Sequence, residues 1–503
     1  MALTFRSIGR RGIDSWRHGC AFAAISALAL SACTVGPNYK KPSAPTPESY
    51  KEIDGWKPAS PVNAASGQAW WSIYQDAVLD GLEKQIDISN QNLKQAEAAY
   101  RQAAAIVDEA RAGYYPTITA GGGATRSADN LSGSGSSNRV ISNQFTASFG
   151  ASWEPDIWGK IRRTVESNVA TAQADAADIA SARLSAQATL ATDYFELRVD
   201  DEMKHLFEET IEAYRHSLEI TRNQFNAGTA AQTDVITAET QLEGAESQYI
   251  NLGVQRSQLE HAIAVLTGKP PSGLTIVPAA LDRTIPIPPT GMPSTLLERR
   301  PDVSATERQM AASNAQIGVA ISAYYPDVTL SASAGFANSV LQNLFNAAST
   351  VWSFGPSISE TVYDAGLRDA QVAAARAAYD QTVASYRQTV LTAFQQVEDQ
   401  LAALRILEKQ AAVEDTAAKS AHEAVRLTLN QYQQGTVAYT AVITAQTTAL
   451  TDDESVLNIL MNRLVASVTL VDALGGGWST AQLPNASHID SSTQSPATDP
   501  AAH

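Results

Sequence analysis

Cysteine is almost absent from this chain of 503 residues, which contains only Cys20 and Cys33. Two cysteines exclude a fold built on several disulfides, and they exclude a zinc site with four thiolate ligands. Basic residues are scarce as well, because 36 Lys and Arg stand against 52 Asp and Glu and leave a net charge of −16. We therefore expect no binding to nucleic acid, whose phosphates attract basic surfaces.

Motifs of catalytic and cofactor-binding sites are also missing. His205, His216, His261 and His422 lack the spacing of metal-binding histidines, and no glycine-rich phosphate loop follows a predicted strand. The Asp and Glu residues lie at helical intervals among Ala and Gln, which is typical of a solvated helix face. We predict that the protein is not an enzyme and that it holds no metal ion.

Long apolar runs are absent except near the N-terminus, where a basic region ends at Arg17 and the run Ala21 to Leu30 follows. A run this short cannot span a bilayer, and the order of segments is typical of a secretory signal. The sequence Leu30-Ser-Ala-Cys33 is typical of bacterial lipoproteins, in which the cysteine is acylated. We predict a signal peptide over 1–32 and a covalent lipid, palmitate included, on Cys33, with no other cofactor. The alternative is an ordinary cleaved signal beside a chance cysteine.

The segment after Cys33 contains many Pro, Ser and Gly residues, so we interpret 33–75 as a lipidated, extended tether. Thr34, rather than Asp, follows the cysteine, and in Gram-negative lipoproteins this choice usually permits transfer to the outer membrane. The C-terminal residues 476–503 are rich in Ser, Thr, Pro and Ala, and we expect them to be disordered.

Between these ends the chain repeats itself at an offset of about 207 residues. The seventeen residues from Gln224 to Thr240 match those from Gln431 to Thr447 at ten positions, and Tyr-Tyr-Pro ends at both Pro116 and Pro326. We predict a first repeat over 76–270, an inter-repeat linker over 271–293 and a second repeat over 294–475.

Each repeat encloses segments in which apolar and small polar residues alternate, which predicts β-strands with two different faces. Phe145 to Trp153, Val328 to Phe336 and Trp352 to Ile358 alternate most clearly, and a further strand ends near Arg126. We expect a mobile loop over 127–143, where Ser, Gly and Asn dominate. The alternation is typical of strands in a membrane barrel with an aqueous lumen. A soluble sandwich with one wet face is the alternative.

Proline-free runs rich in Ala, Glu, Gln and Leu predict helices elsewhere. The runs over 159–225 and 364–434 would each form a rod of roughly 100 Å. Shorter helices are predicted over 76–113, 232–266 and 439–474 and before Tyr324, so that two short helices match one rod. The predicted fold is therefore mainly α, with one β-hairpin in each repeat and so a pair of hairpins in the chain.

Four strands cannot close a barrel in lipid, where an open sheet edge would leave backbone groups without partners. The strands of several copies must therefore combine if the barrel interpretation holds. Two, three or four copies would all satisfy this requirement.

The chain resembles the outer-membrane factor family, the TolC-like channels, and within it the lipoprotein branch that serves RND-type efflux pumps. The resemblance extends over residues 33–475. The stretches that carry it are Cys33-Thr-Val-Gly-Pro-Asn-Tyr39, Trp70-Trp71, Ala99 to Pro116, Trp153-Glu-Pro-Asp-Ile-Trp-Gly159, Leu297-Glu-Arg-Arg-Pro-Asp302 and Ala315-Gln-Ile-Gly-Val-Ala320.

This resemblance implies a homotrimer whose twelve-stranded barrel crosses the outer-membrane lipid and whose α-helical tunnel extends into the periplasm. A periplasmic adaptor (a membrane fusion protein) and an inner-membrane RND-type pump would be its partners. Drugs or other small molecules would pass through it to the outside. A type I protein secretion duct of the same fold and a lipid-anchored helical structural protein are the alternatives.

The resemblance also assigns a role to the two Gly-Thr turns, Gly228 with Thr229 and Gly435 with Thr436. They correspond to the periplasmic tips of the family, on which the adaptor docks. A simple helix C-cap is the structural alternative, because glycine commonly ends a helix before a reversal.

The gate of the resting family channel uses carboxylates just beyond the second turn, and here the sequence departs from the pattern. The acidic positions hold Ala441 and Thr444, and the position of their basic partner holds Thr447. The gate candidates are therefore Asp234 and Glu239 in the first repeat, with Thr444 in the second. For Asp234, a surface charge near a helix start is the alternative.

Overall fold

The computed structural model describes residues 34–44, 46–53, 69–133, 136–286 and 297–490. Cys33 and the predicted signal peptide lie outside these ranges. So do residues 287–293 of the predicted linker and residues 491–503 of the predicted tail.

Among the described residues, the two repeats share one order of elements, and the helical residues 297–299 lie directly before Arg300 as the first helix lies directly before Asn90. The first repeat consists of α1 (Ala77–Ser89), α2 (Gln91–Ala112), β1 (Thr117–Gly133), β2 (Ser136–Trp153), α3 (Lys160–Asn226) and α4 (Gln232–Leu266). The second consists of α5 (Pro301–Ser322), β3 (Asp327–Asn338), β4 (Thr350–Ser359), α6 (Leu367–Gln433) and α7 (Tyr439–Ala473). Corresponding helices are equally long, with 67 residues in α3 and α6, 35 in α4 and α7, and 22 in α2 and α5. The predicted duplication and the two long rods are confirmed.

The helix predicted over 76–113 is two helices, because the chain turns at Asn90 (φ −62°, ψ 124°). The Asp76 carboxylate caps α1 by accepting hydrogen bonds from two backbone N–H groups of its first turn. The Asn90 side chain caps α2 and also donates to the carbonyl oxygen of Leu266 at 2.8 Å. This contact with the end of α4 fixes the turn, and the local sequence does not reveal it.

The long helices lie beside pairs of shorter ones. α3 packs on α2 and α5 towards the sheet and on α4 and α7 towards the opposite end, and α6 packs on α5 and α7. Near the sheet the helix order is therefore α2–α3–α5–α6. The central core joins α1, α3 and α7 around Leu79, Tyr194 and Leu464. α7 is long and apolar enough to cross a membrane, but 56% of its apolar window is buried in the molecule, as in an ordinary core helix.

The strands form one antiparallel sheet in the order β1-β2-β3-β4. The prediction of a loop over 127–143 is wrong for residues 127–133 and 136–143, because they continue the first hairpin, in which Ser127 pairs with Ser142 and Gly133 with Ser136. An antiparallel ladder is built from backbone groups. Residues of low strand propensity can therefore extend it when both strands continue side by side.

The prediction of a disordered tail is wrong for the residues up to Asp490. The Ile489 side chain has no exposed surface and packs in an apolar cluster with Val107 of α2 and Val169 of α3. Arg111 also donates to the Ile489 carbonyl oxygen at 2.6 Å. Arg111 donates to the Ala486 carbonyl oxygen at 3.0 Å as well, and Gln173 of α3 donates to the Pro484 carbonyl oxygen at 3.0 Å. A composition rich in Ser, Thr and Pro does not reveal these contacts.

Candidate functional site

The sheet has one apolar face and one face of small, mostly polar residues. Residues paired across strands share a face, so Phe149, Ala334 and Trp352 lie together, and Ser148 lies with Gly335 on the other side. The large apolar side chains are exposed in the single copy, with exposed fractions of 77% for Trp352 and 68% for Phe354. The apolar face also carries Ile118, Phe145, Trp153, Val328, Leu330 and Ile358, whereas the other face carries Thr117, Thr119, Thr146, Ser152, Ser331, Ser333, Ser353 and Ser357.

β1 and β4 are the edges of this sheet, and among the described residues each has a strand neighbour on one side only. The backbone N–H and C=O groups on their outer sides therefore have no ladder partner within one copy. Pro356 lies opposite Leu330 in β4, which agrees with the preference of proline for edge strands. An exposed apolar face and two open edges are features of a sheet that other copies complete.

Residues 34–44, here called the strap, are fixed to the start of α3 by Arg163. Its Nε donates to the carbonyl oxygen of Val35 at 3.1 Å, and its Nη2 donates to Asn38 Oδ1 at 2.9 Å. Only 3% of the Arg163 side chain is exposed, and Glu166 lies 2.7 Å from its Nη1. A buried guanidinium with this many acceptors gives the strap a specific seat.

Close approach of backbones fixes the strap further. Gly36 has a φ of 91°, and a Cβ on it would lie 2.5 Å from the Cα of Gly318 in α5. A Cβ on Gly159, in the turn between β2 and α3, would lie 2.7 Å from the Thr34 side chain. Thr34 therefore packs directly on the boundary between sheet and helices.

The segment around Tyr50 binds the second repeat. The Tyr50 side chain is 2% exposed and belongs to the apolar cluster of α6 around Val390. The Glu398 carboxylate accepts hydrogen bonds from the backbone N–H groups of Lys51 at 2.7 Å and Glu52 at 2.9 Å. The described residues 34–44 and 46–53 are therefore bound to both repeats.

The two Gly-Thr turns have the same structure. Gly228 and Gly435 have φ values of 78° and 75°, which favour glycine although a Cβ would meet no atom within 4 Å. In the first turn, the N–H and Oγ1 of Thr229 both donate to one Gln224 carbonyl oxygen, at 2.9 and 3.0 Å. In the second, the same groups of Thr436 donate to the Gln431 oxygen at 3.0 and 2.9 Å. Each turn is thus a fully bonded helix C-cap, and its Gly and Thr are exposed at the end of the molecule.

The three gate candidates have local partners and do not meet one another. Asp234 Oδ2 lies 3.4 Å from the Ala231 backbone N–H, which is the position of a helix N-terminal cap. Glu239 of α4 forms an ion pair with Arg222 of α3 at 2.6 Å, inside one hairpin. The Thr444 hydroxyl donates to the carbonyl oxygen of Thr440, one turn earlier, at 2.9 Å.

Sequence reasoning missed the contacts that join the two helical hairpins, α3–α4 and α6–α7, near their Gly-Thr turns. The Gln446 amide of α7 donates to Ser217 Oγ of α3 at 2.8 Å, and both side chains are buried. The Gln241 amide of α4 donates to Thr447 Oγ1 of α7 at 3.0 Å. Gln446 corresponds to Glu239 in the repeat, so the change from acid to amide was the available signal. The hairpins are joined here by neutral hydrogen bonds.

Glu83 in α1 is fully buried, and among the described residues neither of its carboxylate oxygens has a hydrogen-bond partner. Burial, together with the smaller effect of the nearby Asp87 carboxylate, raises the pKa of Glu83 to about 9. The side chain is therefore a neutral acid at pH 7.

The histidines do not form a ligand set. His422 lies 3.0 Å from an Asp453 carboxylate oxygen, and His205 is an exposed neighbour of Glu209. Across the described ranges, no group of three or more His, Cys, Asp or Glu side chains could hold a metal ion.

Known proteins share this architecture. A sequence profile of the outer membrane efflux protein family matches residues 82–269 and 292–476. The probable efflux pump outer membrane protein TtgC of Pseudomonas putida is 29% identical over 469 residues, which cover 90% of this chain and 95% of the relative. The solvent efflux pump outer membrane protein SrpC, also of Pseudomonas putida, is 31% identical, with 90% and 97% covered.

Solved structures agree. The outer-membrane channel OprN superposes on this chain with a TM-score of 0.82 at 29% identity, covering 89% of this chain and 100% of the OprN chain. The structure of CusC superposes with a TM-score of 0.79 at 25% identity, covering 88% and 100%. By its sequence profile, its relatives and its two-repeat fold, the chain belongs to the outer membrane efflux protein family.

Proposed function

We propose that the protein is the outer-membrane channel of a tripartite efflux pump and that it conducts drugs or other small molecules passively. The observation that carries the proposal is the two-faced sheet, with bulky apolar side chains on one side and Ser, Thr and Gly on the other. Strands of this kind face lipid outwards and water inwards. The outer membrane is therefore its proposed location.

Conductance in planar bilayers tests the two faces. We expect Ser333→Trp, on the small-residue face, to lower the single-channel conductance because its ring would occupy the lumen. The matched control Phe354→Trp, on the apolar face, should leave conductance unchanged. Equal conductance of both variants and the wild type would contradict the assignment of the faces. In a deletion strain, lost protein secretion with unchanged drug susceptibility would indicate a type I secretion duct instead.

The proposed assembly is a homotrimer, in which three copies supply twelve strands. Helix α6 supports it, because exposed Ile406, Val413 and Leu427 recur at steps of seven or fourteen residues. That spacing is typical of a helix which packs on another helix along a coiled-coil seam. Light scattering of the detergent-solubilised protein, corrected for detergent, should give the mass of three chains, and a monomer mass would contradict the proposal.

The lipid anchor is proposed at Cys33. Its support is the seat of Thr34 against Gly159 at the boundary between sheet and helices, where a membrane surface would lie. Metabolic labelling with palmitate should label the wild type and leave Cys33→Ser unlabelled. A mature wild-type N-terminal peptide with a free thiol would contradict lipidation.

The proposed partners are a periplasmic adaptor and an inner-membrane RND-type pump, with the adaptor docking on the two Gly-Thr turns. The exposed position of both turns supports this role, and two variants separate it from helix capping. Thr229→Ser keeps the hydroxyl that bonds Gln224 but removes the exposed methyl group, whereas Thr229→Val does the reverse. Docking predicts that Ser weakens adaptor binding more than Val does. A stronger effect of Val would favour capping alone.

Asp234 is the proposed contributor to the gate, because it is the carboxylate nearest a tip. Planar-bilayer recordings of Asp234→Ala should show a higher open probability and a lower cation selectivity than the wild type. Glu239→Gln is the matched control, since Glu239 is already paired with Arg222. If Asp234→Ala equals the wild type in both quantities, Asp234 is a helix cap only.

A further inference from the structure

The apolar face of the sheet becomes basic at its end furthest from the helices. In the hairpin of β1 and β2 the pairing is continuous, and every second residue lies on this face. Arg126, opposite Asn143, and Arg139, opposite Asn130, therefore lie on the same face as Phe145 and beyond it. Both arginines are exposed, and in the described part of the chain neither has a hydrogen-bond or ion-pair partner. The strand pairing places no Asp or Glu on this face.

Between these arginines and the helices, the same face contains a groove of about 570 Å³. This volume is in the range of roughly 300–1,000 Å³ that is typical of small-molecule sites. Small residues and aromatic rings line the groove, among them Gly122, Ala147, Ala334, Phe149, Phe336 and Phe345. Its lining is therefore apolar, and it suits a hydrocarbon chain.

The loop between β3 and β4 forms one wall of the groove. The Phe345 ring packs edge-on against the Phe336 ring, with 5.4 Å between their centroids, so the loop folds back over the apolar face. Asn338 Nδ2 donates to Ser349 Oγ at 2.6 Å, which in turn donates to the Asn343 carbonyl oxygen at 2.8 Å. Polar contacts thus fix the loop while the Phe345 side chain stays 71% exposed, which is typical of a surface that contacts another apolar molecule.

The length of the apolar part places the arginines at the level of lipid headgroups. It spans ten residue steps of β3, from Val328 opposite Ile358 to Asn338 opposite Phe145. At about 3.4 Å per residue and a tilt of about 40°, this is about 25 Å along the membrane normal, the height of the apolar band in membrane barrels. Arg126 lies two residues beyond Phe145 and so just outside the hydrocarbon.

We infer that the groove and the two arginines bind one phosphorylated lipid of the outer leaflet. An acyl chain occupies the groove, and phosphate oxygens accept hydrogen bonds from the guanidinium groups of Arg126 and Arg139. A lipid is the occupant because the groove is apolar, the charge beyond it is positive and both lie on the face assigned to lipid. The inference rests on the proposed location in the outer membrane.

Native mass spectrometry of the full-length protein in detergent, titrated with diphosphorylated lipid A, tests the headgroup contacts. We expect Arg126→Gln with Arg139→Gln to weaken lipid binding by roughly tenfold or more, because hydrogen bonds to charged groups are lost. The matched control, Arg376→Gln with Arg387→Gln, removes two exposed charges from α6 and should bind as the wild type does. Equal binding by both double variants would overturn the inference.

A second pair of variants tests the groove. Ala147→Phe places a ring inside it, whereas Ala151→Phe places the same ring on the same strand and face but outside the lining. Only Ala147→Phe should weaken binding. With monophosphorylated lipid A as a second probe, Ala147→Phe should keep the preference of the wild type for two phosphates, and the arginine variant should lose it. An unchanged preference in the arginine variant would overturn the headgroup contacts.

Conductance of the same preparations in planar bilayers separates this inference from the proposed function. A wild type that conducts, but binds lipid A no better than the arginine variant does, would overturn the lipid site and leave the channel standing. A wild type that binds lipid A without conducting would overturn the channel and support the lipid site.

Discussion

The helix pair α3–α5 and the duplicated pair α6–α2 have the same helix lengths but differ in the residues that can hold an N-terminal segment. Arg163, which holds the strap, corresponds to Ala370 in the second repeat, and Gly318, which the strap approaches, corresponds to Asp108. Asn314 donates to the Pro37 carbonyl oxygen at 3.0 Å, whereas its counterpart is Ala104. Both helix pairs have kept their lengths, but only the α3–α5 pair has the residues that hold an N-terminal segment. Each copy therefore has one seat for its own strap.

The largest expected loss of stability comes from Arg163→Ala, which gives α3 the alanine that α6 has at the corresponding position, Ala370. This change leaves the strap carbonyl oxygens and Glu166 without their buried partner, which costs roughly 3 kcal/mol or more. We expect the strap to become sensitive to protease and the thermal midpoint to fall. The control Lys160→Ala removes an exposed cation of the same helix turn, whose ion pair with Glu154 spans 3.7 Å. Equal protease resistance of the strap in both variants would contradict its seat on Arg163.

A substitution of Glu83 in α1 of the first repeat should change the stability by a similar amount in the opposite direction. The folded-state pKa of Glu83 is raised to about 9. Its contribution to stability is therefore complete below the unfolded pKa, near 4.5, and is lost as the pH rises towards 9. Glu83→Gln removes this dependence, so its stability relative to the wild type should be greater at pH 8 than at pH 6 by on the order of 2–3 kcal/mol.

Thermal unfolding of wild type and Glu83→Gln across that pH range measures the difference. Glu97→Gln, which replaces an exposed acid of α2, is the matched control and should follow the wild-type pH profile. Parallel profiles for Glu83→Gln and the wild type would mean that Glu83 is ionised in the folded protein.

The smallest effect is expected where the repeats agree. Gly228→Ala and Gly435→Ala each force a side chain into the left-handed region without a steric clash, so each should cost about 1–2 kcal/mol locally. Hydrogen exchange of the amides in each turn should accelerate to the same extent in its own variant. An effect at one turn only would show that the two tips are not equivalent, despite their matching caps.

The rods, the hairpins and the tips could be predicted because their signals are local. Helices follow from long proline-free runs, strands from alternation around Phe149 and Trp352, and the turns from Gly228 and Gly435. The break at Asn90 and the seat of Ile489 could not be predicted, because each depends on a partner distant in sequence, Leu266 in one case and Arg111 in the other. The residues in 127–133 and 136–143 have low strand propensity, but they form a ladder because they extend β1 and β2, which already lie side by side.

At the candidate site, too, the sequence identified individual residues but not the contacts between distant parts of the chain. Sequence identified the carboxylates near the tips but not their partners, since Arg222 faces Glu239 only after the chain has reversed. It also missed the buried pair of Gln446 and Ser217, which belongs to two different repeats. Contacts between the repeats depend on the relative position of the helical hairpins α3–α4 and α6–α7. The periodicity of residues within one helix does not determine that position.

The open edges of the sheet bear on the order of events during biogenesis. β4 alone exposes a ten-residue ladder, and each N–H or C=O left without a partner in hydrocarbon costs several kcal/mol. A lone subunit that entered lipid would bear this penalty along two strands at once. In the proposed trimer, subunits would therefore meet at the membrane surface before or during insertion, and the rate of pore formation should rise more steeply than linearly with the amount of protein delivered there.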